Sequence, residues 1–282
     1  YRADRFGRFG RYMKGVSYID NALWDLRGRV FGAPVHQLLG GPTRDVVKVY
    51  GSCLGFSVDP TKAAERAVGL ARNGEADLVM NGLLPPRYLI QAALDREKGL
   101  RVGKLLTDVS IFEIPGFDRL LFISDIAIVV SPTLEQRVQI VQNAIDVAHA
   151  LGITEPKVAI LAATEMVNPK IPLSLEAADL SKMAQRGQIR GGIVDGPLAL
   201  DNAISPKSVA IKGIRSDVAG YADILIAPDI EAGNILAKAI TYFAQGKMAG
   251  VVVGGKCPLV MPSRADPAET KLMSLALGVY LA

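Results

Sequence analysis

Cysteine and histidine are nearly missing from this chain, with two of each among 282 residues. Cys53 and Cys257 stand far apart, so neither a zinc spacing nor a disulfide framework can be built from them. The expectation is two reduced thiols in a cytoplasmic protein. His36 and His149 leave little room for a histidine metal site or a His-based triad, and no metal is expected. No apolar run reaches the roughly 18 residues of a membrane span, and no basic-then-apolar signal segment is read. Lysine and arginine are scattered rather than run together, which argues against a nucleic-acid tail. No nucleic-acid or membrane partner is therefore expected.

What is present points to a folded, turn-rich chain. Half of the residues are hydrophobic, enough for a sizeable core. Glycines number 28 against 6% aromatics, which suits many tight strand-to-helix turns. The 32 Lys and Arg outweigh 28 Asp and Glu, giving +4, a balance that fits a small anionic ligand.

From about residue 77 the pattern is regular. Short apolar runs recur at "DLVMN" (77–81), "RLLFIS" (119–124), "KVAILA" (157–162), "GGIVDG" (191–196), "DILIAP" (223–228) and "GVVVGG" (250–255). Between them lie helical stretches. Over 132–151, Leu134, Val138, Val141, Ile145 and Ala148 recur at steps of four and three, with Ser131 read as N-cap, Pro132 at N1 and Gly152 as the stop. Residues 174–186 and 231–246 read as helices in the same way. Strands too apolar to alternate, separated by helices, predict an α/β fold with mainly parallel strands.

Residues 1–66 read differently: an Arg- and Gly-rich stretch, an amphipathic helix around "IDNALWDLRGRVFG", a short helix "APVHQLLGG" and a strand "DVVKVYGSCLG". A short α+β segment is expected there, with no linker of distinct composition after it.

The segments "FDRLLFISDIAI", "ALGITEPKVAILAATEMVNPKIP", "LSKMAQRGQIRGGIVDGPLALD", "AGYADILIAPDIEAGNI" and "SRADPAETKLMSLAL" run in order through 67–282. Together they resemble the phosphate acetyltransferase and phosphate butyryltransferase family. The resemblance implies two α/β/α subdomains with a cleft between them, the first truncated at its N-terminus. It also implies a homo-oligomer whose substrates are acyl-CoA and inorganic phosphate, with CoA as product and no permanently bound cofactor. "IDNALWDLRGRVFGAPVHQLLGGPTRDVVKVYGS" is similar instead to the mandelate racemase and muconate lactonizing branch of the enolase superfamily. It stops before the lysines and metal carboxylates of that branch. The chain thus reads as two fragments joined, 1–66 and 67–282.

The stretch "VVVGGKCPLVMPSRADPAET" (251–270) concentrates candidate chemistry. One reading is architectural: Asp266-Pro267-Ala268-Glu269 as a capping box, followed by an apolar stripe of Leu272, Leu275, Ala276, Val279 and Tyr280. That reading leaves Arg264 unexplained, because a cation beside a helix N-terminus is opposed by the helix dipole. The other reading is functional, since ligands of open parallel sheets sit beyond the strands' carboxyl ends, near helix N-termini. The resemblance implies that Ser263 and Arg264 bind phosphate and the developing oxyanion, and that Asp266 or Glu269 serves as base or orienting partner.

Arg101, Asp195, Gly233 and Asn234 are the substrate-binding candidates, each beside the alternative of an ordinary turn, cap or solvated residue. Thr107-Asp108-Val109 departs from the "SHV" tripeptide of butyryl-type members. Cys257 and His149 are read as packing and structural groups. The expectation is acyl transfer from a short-chain acyl-CoA to phosphate. The alternatives are an inactive or binding-only chimera and an enolase-superfamily racemase or lactonizing enzyme.

Overall fold

Alternation of side chains on successive strand residues divides the apolar residues of 107–260 between two faces of a sheet. Val109 and Ile111 join one cluster and Phe112 the other; Phe122 joins the first, and Leu121 and Ile123 the second. The computed structural model describes residues 11–41 and 59–282. The chain divides into two compact units, Tyr1–Leu54 and Gly55–Ala282. The strand expected in "DVVKVYGSCLG", and Cys53 with it, lies outside the described residues.

In the first unit, α1 (Arg11–Phe31) and α2 (Val35–Leu38) are joined by a turn at Gly32, whose φ of 63° suits glycine. The Arg29 Nε donates to Asp25 Oδ2 at 3.0 Å, and the Arg27 guanidinium lies 4.7 Å from the Trp24 ring centre. Leu23 and Leu26, expected on an apolar face, are exposed, and His36 is exposed as well.

The second unit opens with α3 (Pro60–Arg72), β1 (Val79–Met80) and α4 (Pro86–Leu94). Then come β2 (Thr107–Glu113), β3 (Leu121–Ser124), α5 (Leu134–Ala150), β4 (Lys157–Leu161), α6 (Pro172–Gln185) and β5 (Ile193–Leu198). After them follow α7 (Leu200–Ile204), α8 (Pro206–Lys212), β6 (Ile224–Ile226), α9 (Ile230–Tyr242), β7 (Lys247–Val253), β8 (Leu259–Val260) and α10 (Ala268–Leu281).

The strands form one eight-stranded sheet in the order β1-β8-β7-β2-β3-β6-β4-β5. The pairs β3–β6, β6–β4, β4–β5 and β1–β8 are parallel. The pairs β8–β7, β7–β2 and β2–β3 are antiparallel and join the two parallel sets. The expected α/β class with mainly parallel strands is present, and hydrogen bonding runs on from one parallel set to the other through β2 and β7.

On one face, Ile140, Val141, Ala144, Ile145 and Ala148 of α5, Ala177 and Leu180 of α6, and Leu277 of α10 cover the sheet. On the other, Ala203 of α7 with Ala237 and Ile240 of α9 do so. A third cluster joins α3 and α4 to β7 and β8 through Val68, Ala71, Leu89, Ala93, Val252 and Leu259, and takes in Cys257 as a packed thiol.

Three helix details differ from expectation. The N-cap of α5 is Thr133, not Ser131: its side chain accepts from the Gln136 N–H, and the Gln136 side chain accepts from the Thr133 N–H. Gly152 ends the helix as expected, with φ of 89°. The cap of α10 is not Asp266, because the helix begins after Pro267 with no side-chain cap. The stripe of α10 is rotated as well. Thr270, Ser274, Leu277 and Gly278 are buried, while Leu272, Val279 and Tyr280 face solvent. Close approach explains this choice, since a Cβ on Gly278 would lie 2.5 Å from Val260 Cγ2.

Candidate active site

Strand alternation puts Asp108 and Ser110 on one face of β2, beside Gly250 of β7, where Ser110 and Gly250 are partners. β3 ends at Ser124, and Asp125 follows it. Helix α9 is drawn against this point. Gly233 is buried there, and a Cβ on it would lie 2.8 Å from Asp125 O and 3.0 Å from Ala227 Cβ. Only a bare Cα lets the helix come so close. The neighbouring Asn234 Nδ2 donates to Ile126 O at 3.3 Å. From the middle of α10, Ser274 Oγ accepts the Gly250 N–H at 3.0 Å.

These elements enclose a pocket of about 100 Å³. Its polar lining is Asp108, Ser110, Asn234, Lys238, Thr241, Ser263, Asp266 and Ser274. Lys238 is the one cation among the described residues that line it, and Met248, Met261 and Ala237 supply apolar wall. The loop 262–266 folds over the pocket as a closed turn. The Ser263 N–H donates to Asp266 Oδ2 at 2.8 Å, and the Asp266 N–H donates to Ser263 O at 3.1 Å. Asp266 therefore pins the Ser263 loop rather than the helix.

A second carboxyl, Asp125, lies beside Asp108 without lining the pocket itself. Asp125 Oδ1 accepts the Ala127 and Ile128 N–H groups at 2.8 Å each, and its Oδ2 accepts the Asp108 N–H at 2.9 Å. Asp108 Oδ2 accepts the Ser110 hydroxyl at 2.8 Å. Burial pushes Asp108 well above the usual carboxylate range. The Asp125 charge adds to the rise, and the Ser110 hydrogen bond opposes it in part. Burial also raises Asp125, against the lowering effect of its N–H donors.

Of the residues singled out from sequence, Ser263, Asp266 and Asn234 line this pocket, and Gly233 lies directly behind it. The other four do not line it. Arg264 is exposed, and no hydrogen bond or ion pair forms at its guanidinium among the described residues. Glu269 is held by Lys247 at 2.9 Å and lines a neighbouring hollow of about 190 Å³. Arg101 is exposed and bridges through its backbone to Gly255, beyond the far end of β7. Asp195 lies on the edge strand β5, four strands from β2, where its Oδ1 accepts the Gly196 N–H at 2.8 Å.

Motif and periodicity leave Asp125, Ser110, Lys238 and Ser274 unmarked, and Asp108 stands out only as a departure from the tripeptide. One signal was available, an acidic residue immediately after the apolar run "LLFIS". His149, read as structural, donates from Nε2 to Gly191 O at 2.6 Å in the tautomer that protonates that nitrogen.

Comparison with known proteins bears on the whole arrangement. A profile described as mandelate racemase / muconate lactonizing enzyme, N-terminal domain, matches residues 4–40. The profile described as phosphate acetyl/butaryl transferase matches residues 58–279. A probable phosphate butyryltransferase of Bacillus subtilis is 48% identical over 248 residues, covering 86% of this chain and 83% of the relative. A phosphate acetyltransferase of Thermotoga maritima is 51% identical over 223 residues, covering 79% and 76%. Among solved structures, a branched-chain phosphotransacylase from Enterococcus faecalis superposes with a TM-score of 0.73 at 35% identity, with 80% of each chain covered. With most of its length matched by one profile, and by relatives of about half-identical sequence, the chain belongs to the phosphate acetyl/butaryl transferase family.

Proposed function

We propose that this chain exchanges the acyl group of a short-chain acyl-CoA with inorganic phosphate, giving acyl phosphate and CoA, in the pocket between β2, β7, α9 and the 262–266 loop. The observation that carries the reading is the convergence there of Ser263, Asp266 and Asn234 with a single lysine, Lys238. Phosphate is already a nucleophile at neutral pH, so the protein's task is mainly to position it and to stabilise charge.

A phosphate oxygen bonds to the thioester carbonyl carbon, and negative charge builds on the carbonyl oxygen. The carbonyl then re-forms as the C–S bond breaks, its electron pair leaves with sulfur, and the CoA thiolate takes up the proton that the hydrogen phosphate gives up on becoming acyl phosphate. Lys238 is assigned to the phosphate charge and Ser263 Oγ to a phosphate oxygen or the oxyanion. Arg264, exposed and with no ion pair among the described residues, is assigned to phosphate arriving from solvent at the mouth of the loop. Asp266 holds the loop in place. Asn234 and Gly233 fix the wall at α9, while Arg101 and Asp195 fall outside the proposed site.

A homo-oligomer is proposed as well, supported by Leu272, Met273, Val279 and Tyr280 exposed along α10. A cytoplasmic place fits the described helices, since no helix among them is long and apolar enough to cross a membrane.

The test is formation of acyl phosphate from acetyl-CoA and butyryl-CoA with phosphate. Release of free thiol, dependent on phosphate, is expected with at least one of them. A folded sample that binds phosphate yet releases no thiol from either would support the binding-only alternative and overturn this reading.

A further inference from the structure

Asp108 is 7% exposed and lines the pocket, yet its chemistry is not used by the reaction as described. Its Oδ2 accepts from Ser110, while Oδ1 takes no hydrogen bond from any described residue. That oxygen lies on the open side: a Cβ placed on Gly250, another pocket residue, would stand 3.8 Å from it. Behind it, Asp125 occupies the better site for negative charge, with three backbone N–H donors against one hydroxyl for Asp108. With Asp125 Oδ2 2.9 Å from the Asp108 backbone nitrogen, two negative charges in this buried place oppose one another, so the proton stays on the carboxyl with fewer donors.

The other charged groups facing the pocket are Lys238 from α9 and Asp266 from the 262–266 loop. β7 contributes Met248 and Gly250, and α10 contributes Ser274, none of them charged.

We propose that Asp108 presents a carboxyl O–H from Oδ1 into this pocket and donates it to an oxygen of bound phosphate, with Asp125 as the positioning residue that keeps the proton in place. The proposal rests on the reading of this pocket as the phosphate site. Asp108 thereby becomes a substrate-binding residue: neutral, it adds a donor beside the ammonium of Lys238; ionised, it repels the anion. Burial and the Asp125 charge, which raise the carboxyl, extend the pH range over which the donor survives. Phosphate affinity is then fully present while Asp108 is protonated and is lost as pH rises through its folded pKa.

The test is calorimetric binding of inorganic phosphate to the full chain, without acyl-CoA, from weakly acidic to alkaline pH. Sulfate, whose charge is constant over that range, runs in parallel to separate the protein's titration from that of phosphate. Wild-type affinity for sulfate should fall by about tenfold or more as pH rises, the size expected for losing one charge-assisted hydrogen bond. In Asp108→Asn the amide N–H₂ keeps a donor in place, and the fall should disappear. In Asp125→Asn the repulsion is gone, so the fall should move to lower pH.

A wild-type fall that survives unchanged in Asp108→Asn overturns the proposal, as does a midpoint unmoved in Asp125→Asn. Thiol release measured on the same samples keeps the two readings apart. Turnover without this binding pattern sinks only the role of Asp108, and the pattern without turnover sinks only acyl transfer.

Discussion

Lys238 and Gly233 show how differently two residues of one helix serve the same pocket. Lys238 is half-buried and lines the cavity, and no ion pair holds it among the described residues. Removing that charge should weaken phosphate without loosening the fold. Lys238→Met is expected to raise the phosphate KM roughly tenfold or more, with unfolding free energy within about 0.5 kcal/mol of wild type, as for other surface-like changes. Steady-state kinetics and urea titration on one preparation check both halves; a comparable loss of stability would make the residue structural.

Gly233 is the reverse case. A methyl there meets Asp125 O at 2.8 Å and Ala227 Cβ at 3.0 Å, so Gly233→Ala should cost about 1–3 kcal/mol by overpacking. Urea unfolding measures this, and a cost near zero would show that α9 can shift.

At this scale the sequence marks three residues that line the pocket: Ser263 and Asp266, which stand out as polar groups before α10, and Asn234, in the opening turns of α9. It leaves Asp108 and Lys238 unmarked, because their place at the pocket comes from strand alternation and from which helix face turns inward. The polar character of "TDVSIFE" also masked a central strand, since buried Thr107, Asp108 and Ser110 interrupt the apolar run by which strands are found.

Among the elements, α5 was legible in its apolar face and its stop but displaced at its start. Ser-Pro-Thr offers two hydroxyl caps, and the choice fell to Thr133 because Gln136 stands three residues on to return the hydrogen bond. Thr133→Ala should then cost about 1 kcal/mol, and Ser131→Ala much less. Melting curves of the two variants order them, and equal losses would refute the reciprocal cap.

The stripe of α10 departs from its apolar periodicity for a related reason. Hydrophobicity marked Leu272, Val279 and Tyr280, but the sheet admits only small groups at this crossing. Gly278 meets Val260, and Ser274 meets the Gly250 N–H. Closeness won over hydrophobic area, leaving the apolar side outward.

At the largest scale, the second unit is built on one sheet in which β2 and β7 join two parallel sets, and the acid pair sits at that junction. The α/β class could be read from strand-helix alternation, whereas the antiparallel junction could not, because direction of pairing leaves no mark in apolar periodicity. Placing Asp108 and Asp125 at the junction couples folding to pH. Asp108 carries a raised folded pKa, so its proton is bound more tightly in the native state than in the unfolded chain. The resulting stability is fully present below the ordinary aspartate pKa and declines as pH climbs from there through the folded value. Asp125 shifts in the same direction. Asp108→Asn removes one of these titrations and the repulsion with it. Its stability relative to wild type should therefore grow steadily from acidic to alkaline pH. Denaturant unfolding of both proteins across that range measures the difference, and a gap that stays constant or narrows would mean that the carboxyl at 108 is ionised throughout.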